Sequence, residues 1–218
     1  HELDYYGLES AVFPLVPVSL DVATFSPGPK MLSKRRGSGA AVLPNNRGVL
    51  VVGGYSDGEF LASTELLNTD TQTFSTGPSM ESRRSYCGTV VLEDGQVVVV
   101  GGLNKTVLST SEVLNPATNT WSLGPNLASC RYKCAALPLR NARIIVIGGA
   151  HGSSAKTSLS TTEIVDLASG ASTPGPEMSC PRHNCSAVML HNGRVLVIGG
   201  RNSNSTVLLT TEVLDLTS

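Results

Sequence analysis

Four times along the chain a short aliphatic run ends in a pair of glycines. The runs occupy residues 49–52, 97–100, 144–147 and 195–198, each followed directly by Gly-Gly. A short, continuous apolar run of mostly β-branched residues predicts a strand buried on both faces. Upstream of each lies a second segment with alternating apolar positions, at 38–43, 86–92, 133–139 and 184–190. That period of two predicts a strand with two unlike faces. Asp94-Gly95 and Asn192-Gly193 are hairpin signals between the two strands, and Asn46-Arg47-Gly48 and Asn141-Ala142 fill the same slot. Downstream, after a polar loop, comes a third strand led by Glu65, Glu112, Glu163 or Glu212. A fourth carries an aromatic, Phe74 or Trp121, and runs into Gly-Pro. The third copy keeps Gly175-Pro176 but has Ser172 in the aromatic place.

The second glycine of each pair stands at 54, 102, 149 and 200, so the unit recurs at intervals of 48, 47 and 51 residues. Each unit is a four-stranded antiparallel sheet that cannot bury both faces alone. Radial arrangement of the copies buries them, which is the plan of a β-propeller. Pro138, late in a first strand, suits an innermost strand with one edge toward the central channel. The expected fold is all-β, a four-bladed β-propeller with blades at about 30–78, 79–125, 126–176 and 177–218. The fourth copy stops at 218 with no fourth strand of its own. Residues 21–29 repeat the pattern of 70–78. A strand at 21–26 is therefore expected to close the last blade and cover its unpaired edge. Residues 1–19 lie outside the repeat and are expected to form an N-terminal arm.

The run into Gly-Gly, an arginine ahead of each first strand, the glutamate of the third strand and the aromatic of the fourth resemble the kelch repeat. The resemblance spans about residues 20–216. It implies a kelch-type propeller acting as an interaction module. The chain departs from the pattern at Leu67, Leu114, Val165 and Leu214, where kelch repeats usually carry a tyrosine, and at Ser172.

Composition narrows the partners. Charged residues are 15% of the 218 and the formal net charge is -1, so there is no general attraction to nucleic acid or to an anionic membrane. No apolar run approaches a membrane span. Asn104, Asn184 and Asn204 open glycosylation triplets, and with five cysteines they favour a secreted protein.

The recurring arginines, Arg36, Arg84, Arg131 and Arg182, admit two readings. Each pairs with the glutamate of its own repeat, or the four form a cationic ring at the channel mouth for an acidic ligand. Kelch propellers that bind acidic peptides present arginines near this place, as the resemblance implies. Cys87, Cys134 and Cys185 occupy one repeat position, three after the arginine, with Gly39 in the remaining copy. Cys130 and Cys180 precede that strand. A disulfide between Cys130 and Cys180 would tie adjacent blades. Pairing within Cys130/Cys134 or Cys180/Cys185 would need a bent strand entry, and the spacing does not choose among these. No nucleophile elbow, paired-carboxylate motif, metal-ligand spacing or cofactor motif is visible. The sequence thus points to a secreted, non-catalytic module for a protein segment or a glycan, with the variable loops after Gly-Gly as the binding face. The alternative is a structural subunit of an extracellular oligomer or fibre, assembled by exchange of the N-terminal strand.

Overall fold

A computed structural model describes residues 25–44, 48–152 and 157–216. It contains strands and no helix among the described residues, arranged as a four-bladed β-propeller. Blade 1 is built from Gly39–Leu43, Gly48–Val52, Thr64–Asn68 and Thr73–Thr76. Blade 2 is built from Gly88–Val91, Val97–Val100, Ser111–Asn115 and Thr120–Leu123. Blade 3 comprises Ala135–Leu139, Arg143–Ile147, Thr162–Asp166 and Ala171–Pro174. Blade 4 has three described strands, Ser186–Met189, Val195–Ile198 and Thr211–Leu214. Two small hairpins, Tyr55–Ser56 with Glu59–Phe60 and Leu103–Asn104 with Thr106–Val107, rise after the first two Gly-Gly pairs.

Every blade is an antiparallel meander, and its turns follow from local chemistry. Gly95 and Gly193 hold φ of 85° and 79° in the first hairpins, and Asn141 and Ala142 hold 61° and 53° in blade 3. After each third strand the side chain of Asn68, Asn115 or Asp166 accepts two backbone N–H groups of the next turn. The Gly-Pro segments are clipped back by hydroxyls: Thr64, Ser111 and Thr162 donate to the carbonyls of Pro78, Pro125 and Pro176.

The first strands of successive blades touch one another and so line the axis. The second strands explain the apolar runs. Leu50 and Val52 point to blade 2, where Val97 and Val99 meet them. Val98 and Val100 of blade 2 point onward to Ile144 and Val146. Ile145 and Ile147 point to Val195 and Val197. One run of four residues therefore serves two junctions, which is why it cannot alternate with polar residues.

The strand expected at 21–26 and the arm at 1–19 lie mainly outside the described residues. Phe25 and Ser26 are described; they belong to no strand, and Phe25 is fully exposed.

A cationic and aromatic mouth as candidate functional site

The repeated arginines are in the walls. Arg84 Nη1 donates to the carbonyls of Gly101 (2.8 Å) and Thr110 (3.0 Å), and Nη2 lies 2.7 Å from Glu112 Oε1. Arg131 repeats this on Gly148, Thr161 and Glu163, and Arg182 on Gly199, Thr210 and Glu212. All three arginines are buried. Each glutamate also takes two backbone N–H groups, for example Ala128 and Ser129 on Glu163. Burial alone would raise the glutamates. In Glu65, Glu163 and Glu212 the hydrogen bonds, joined in Glu65 and Glu163 by the guanidinium charge, outweigh it and hold the carboxyls below their ordinary value.

In blade 1 the wall arginine is Arg35, not Arg36. Arg35 Nη2 lies 2.6 Å from Glu65 Oε1, and Nη1 binds the carbonyls of Gly53 and Ser63. Counting back from Gly-Gly places the arginine 17 residues upstream in the other three blades but 18 in blade 1. The first hairpin of blade 1 is one residue longer, and that extra residue shifts the frame onto Arg36. The same shift makes Ser38, not Gly39, the counterpart of Cys87, Cys134 and Cys185.

The residue after each wall arginine is Arg36, Ser85, Tyr132 or His183. Each makes an isolated antiparallel bridge to the residue following Gly-Gly: Tyr55, Leu103, Ala150 and Arg201. The next residue, Gly37, Tyr86, Lys133 or Asn184, has φ between 51° and 62°. Their backbones form a staircase around the axis. Tyr86 N–H donates to Gly37 O (2.6 Å), Lys133 N–H to Tyr86 O (2.8 Å) and Asn184 N–H to Lys133 O (2.9 Å). These two positions per blade form a rigid inner rim at the loop end of the propeller.

The rim is cationic and aromatic. The Arg36 guanidinium lies 5.0 Å over the Tyr55 ring. Lys133 Nζ lies 5.3 Å from the Tyr86 ring and 5.4 Å from Tyr132. Arg201 stands beside His183, which is buried with Nδ1 2.8 Å from Ser158 Oγ. Burial lowers the His183 pKa, and the positive charges of Lys133 and Arg201 lower it further. Among the described residues no carboxylate stands within ion-pair distance of Arg36, Lys133 or Arg201. Beside the rim, a cleft of about 600 Å³ lies between the two small hairpins, lined by Tyr55, Phe60, Arg83, Asn104 and Lys105 among others. Its rings stand edge to face, 5.0 Å apart, and Arg83 is paired with Glu59 at 2.6 Å.

Residues 36–81 and 83–128 each match the Kelch motif family. The structure carries the same blade plan through two further copies. The matched stretch consists of two kelch repeats, and the described chain is a four-bladed β-propeller built on the same blade plan. Kelch propellers bind protein partners. No curated protein matches the chain.

The kelch frame separates the remaining candidates by position. All five cysteines are free thiols. Cys87, Cys134 and Cys185 enter the first strands, and burial pushes their thiols up, Cys134 to about 12. Cys130 Sγ lies 3.1 Å from His151 Nδ1, and Cys180 Sγ lies 3.6 Å from the Pro181 carbonyl, so the structure does not bring Cys130 and Cys180 together. Of the sequons, Asn204 is exposed in a loop, Asn104 lines the cleft and Asn184 stands on the rim. Among the described residues no group of three His, Cys, Asp or Glu is placed to hold a metal ion, and no helix is long and apolar enough to cross a membrane.

Apart from Arg36, read as one of the repeated arginines, and Asn184, read only as a sequon, the rim residues were invisible to sequence reasoning because they do not repeat. Arg, Ser, Tyr and His, then Gly, Tyr, Lys and Asn, share a backbone position and no side-chain type. The available signal was their place, one and two residues after the wall arginine.

Proposed function

We propose that this chain is a secreted, non-catalytic interaction module that captures an acidic segment of a partner protein at the rim. The observation that carries the reading is the set of Arg36, Lys133 and Arg201 on a fixed backbone, beside aromatic faces and without neutralising carboxylates among the described residues. The wall arginines contribute rigidity and no ligand contact, because each guanidinium is spent on carbonyls and a glutamate. Aromatic faces next to cations suit a carboxylate-rich peptide, which gains charge attraction and apolar contact together. Secretion is supported by the three sequons, all at the loop end. A glycan on Asn184 would occupy the rim, so the binding form leaves that residue bare.

The test uses substitutions that other blades already carry at these positions. Arg36→Ser copies Ser85, and Lys133→Asn copies Asn184, which also tolerates positive φ. Fluorescence anisotropy with a labelled oligoglutamate peptide should show binding that weakens with salt. The double variant should lose at least about tenfold in affinity with an unchanged melting temperature. No peptide binding, equal binding by the double variant, or preference for a neutral glycan would overturn the proposal.

A further inference from the structure

A tryptophan seals the outer flank of the junction between blades 1 and 2. Trp121 stands opposite Leu114, in the fourth strand of blade 2, and packs on the apolar cluster of that junction together with Leu66 of blade 1. Its Nε1–H donates to the Pro78 carbonyl at 2.9 Å. That carbonyl also accepts the Thr64 hydroxyl at 2.9 Å, so both of its lone pairs are used.

The junction between blades 2 and 3 repeats these parts without the ring. Val113 holds the place of Leu66 and packs on the cluster between these two blades, as does Leu167. The Pro125 carbonyl accepts the Ser111 hydroxyl at 2.7 Å, as Pro78 accepts that of Thr64. Opposite Val165, at the place of the tryptophan, stands Ser172, whose hydroxyl is given to Glu163 Oε2. Among the described residues nothing else donates to the Pro125 carbonyl. A groove of about 370 Å³ opens here between two blades that are both described, lined by Val113, Leu123, Pro125 and Leu167 among others. Leu123 is 66% exposed at its edge, where blade 1 has Thr76 and blade 3 has Pro174.

We propose that this groove takes the indole ring of a tryptophan exposed on a partner protein. The occupant follows from the first junction, where an indole lies on the same apolar surface and gives its N–H to the same carbonyl. A ring in the second groove would continue the cluster between blades 2 and 3 outward and use the remaining lone pair of Pro125. Trp121 is the one tryptophan among the 218 residues, and it is already placed, so none of these residues supplies the second ring. The volume is at the small end for a ligand pocket, which suits a single anchoring side chain. Buried aromatic anchors of this kind carry much of the energy of protein interfaces. The groove lies on the outer flank, whereas the rim surrounds the axis, and the inference does not rest on capture of an acidic segment.

The experiment is an NMR titration of the isotope-labelled full chain with N-acetyltryptophanamide. The probe should bind with millimolar affinity and shift the amides of Leu123, Gly124 and Leu167. The analogue methylated on the indole nitrogen keeps the ring and loses the donor, and should bind about fivefold more weakly, the worth of one neutral hydrogen bond. Leu123→Asp puts a charge at the exposed edge of the groove. It should weaken the probe at least about fivefold while melting like the parent. Ser172→Trp supplies the ring from within and should abolish probe binding. If that variant does not fold, Leu123→Asp decides alone. No saturable shift, shifts confined to the rim, or equal affinity for the methylated analogue overturns the proposal. So does undiminished binding by Leu123→Asp or by folded Ser172→Trp.

Discussion

The junction between blades 3 and 4 and the outer face of blade 4 are built from one strand. Within Val195–Ile198, Val195 and Val197 are buried against blade 3, while Ile198 is 41% exposed on the other side. The glycines show the same contrast. A Cβ on Gly53, Gly101 or Gly148 would fall 2.3, 2.3 or 2.4 Å from the arginine carbonyl of the following blade, whereas one on Gly199 would meet nothing nearer than 3.5 Å. The residue pattern of a kelch blade therefore encodes two junction halves whether or not a neighbour fills both. Glycine at 199 and isoleucine at 198 answer to a blade that the described residues do not supply.

The largest expected effect compares the buried ion pairs on either side of this divide. Arg131→Ala strands Glu163 inside blade 3, with its carboxylate and two backbone donors still buried, and should cost about 3–5 kcal/mol. Glu212, the partner of Arg182, has a side chain 21% exposed, so water relieves part of the same loss in Arg182→Ala. Urea unfolding of both variants measures the difference. Equal losses would mean that blade 4 is as well covered as blade 3.

Second in size is a pair of isoleucines, Ile145 and Ile198, on the same face of the second strands of blades 3 and 4. Ile145→Ala empties the packed junction between blades 3 and 4 and should cost about 2–5 kcal/mol. Ile198→Ala removes half-exposed surface and should stay within about 1 kcal/mol when measured at high dilution. A large loss at Ile198 under those conditions would show that its face is covered within one molecule.

The fold was legible because its rules repeat: apolar runs serving two junctions, turn residues with positive φ, and Asn or Asp accepting in the turn after each third strand. Each is a backbone requirement met by the same or a chemically similar residue type in most copies. The arginines were legible in three copies and misplaced in the fourth, because the longer hairpin of blade 1 shifted the frame by one residue beside a second arginine. Of the candidate site only Arg36 was legible, and as a member of the repeated arginines. Tyr86, Lys133 and Asn184 share a left-handed backbone position, but function at a rim asks for different side chains in each blade, and repetition is the only signal a single sequence offers. Met80, Leu127 and Met178 were missed for a plainer reason. They lie outside any strand, four residues before an arginine, and seal junctions from a loop.

The smallest effect concerns the place where the third copy departs from the kelch pattern. Blade 1 has Phe74 there, and blade 2 has Trp121, whose Nε1–H donates 2.9 Å to the Pro78 carbonyl of the preceding blade. Ser172 makes a different contact: its hydroxyl donates 2.8 Å to Glu163 Oε2. After burial, which raises the Glu163 pKa, that bond is the strongest of the influences that lower it. A carboxyl with a depressed pKa in the folded state adds stability above its unfolded value, and the contribution disappears as pH falls through the folded value. Ser172→Ala should thus cost about 1 kcal/mol at neutral pH. It should also move the onset of acid unfolding to higher pH, since Glu163 then protonates more readily in the folded state. Ser172→Thr, which keeps the hydroxyl, should restore the parent acid profile. If Ser172→Ala unfolds at the same pH as the parent, the serine fills space where the aromatic is absent and does not hold the buried charge.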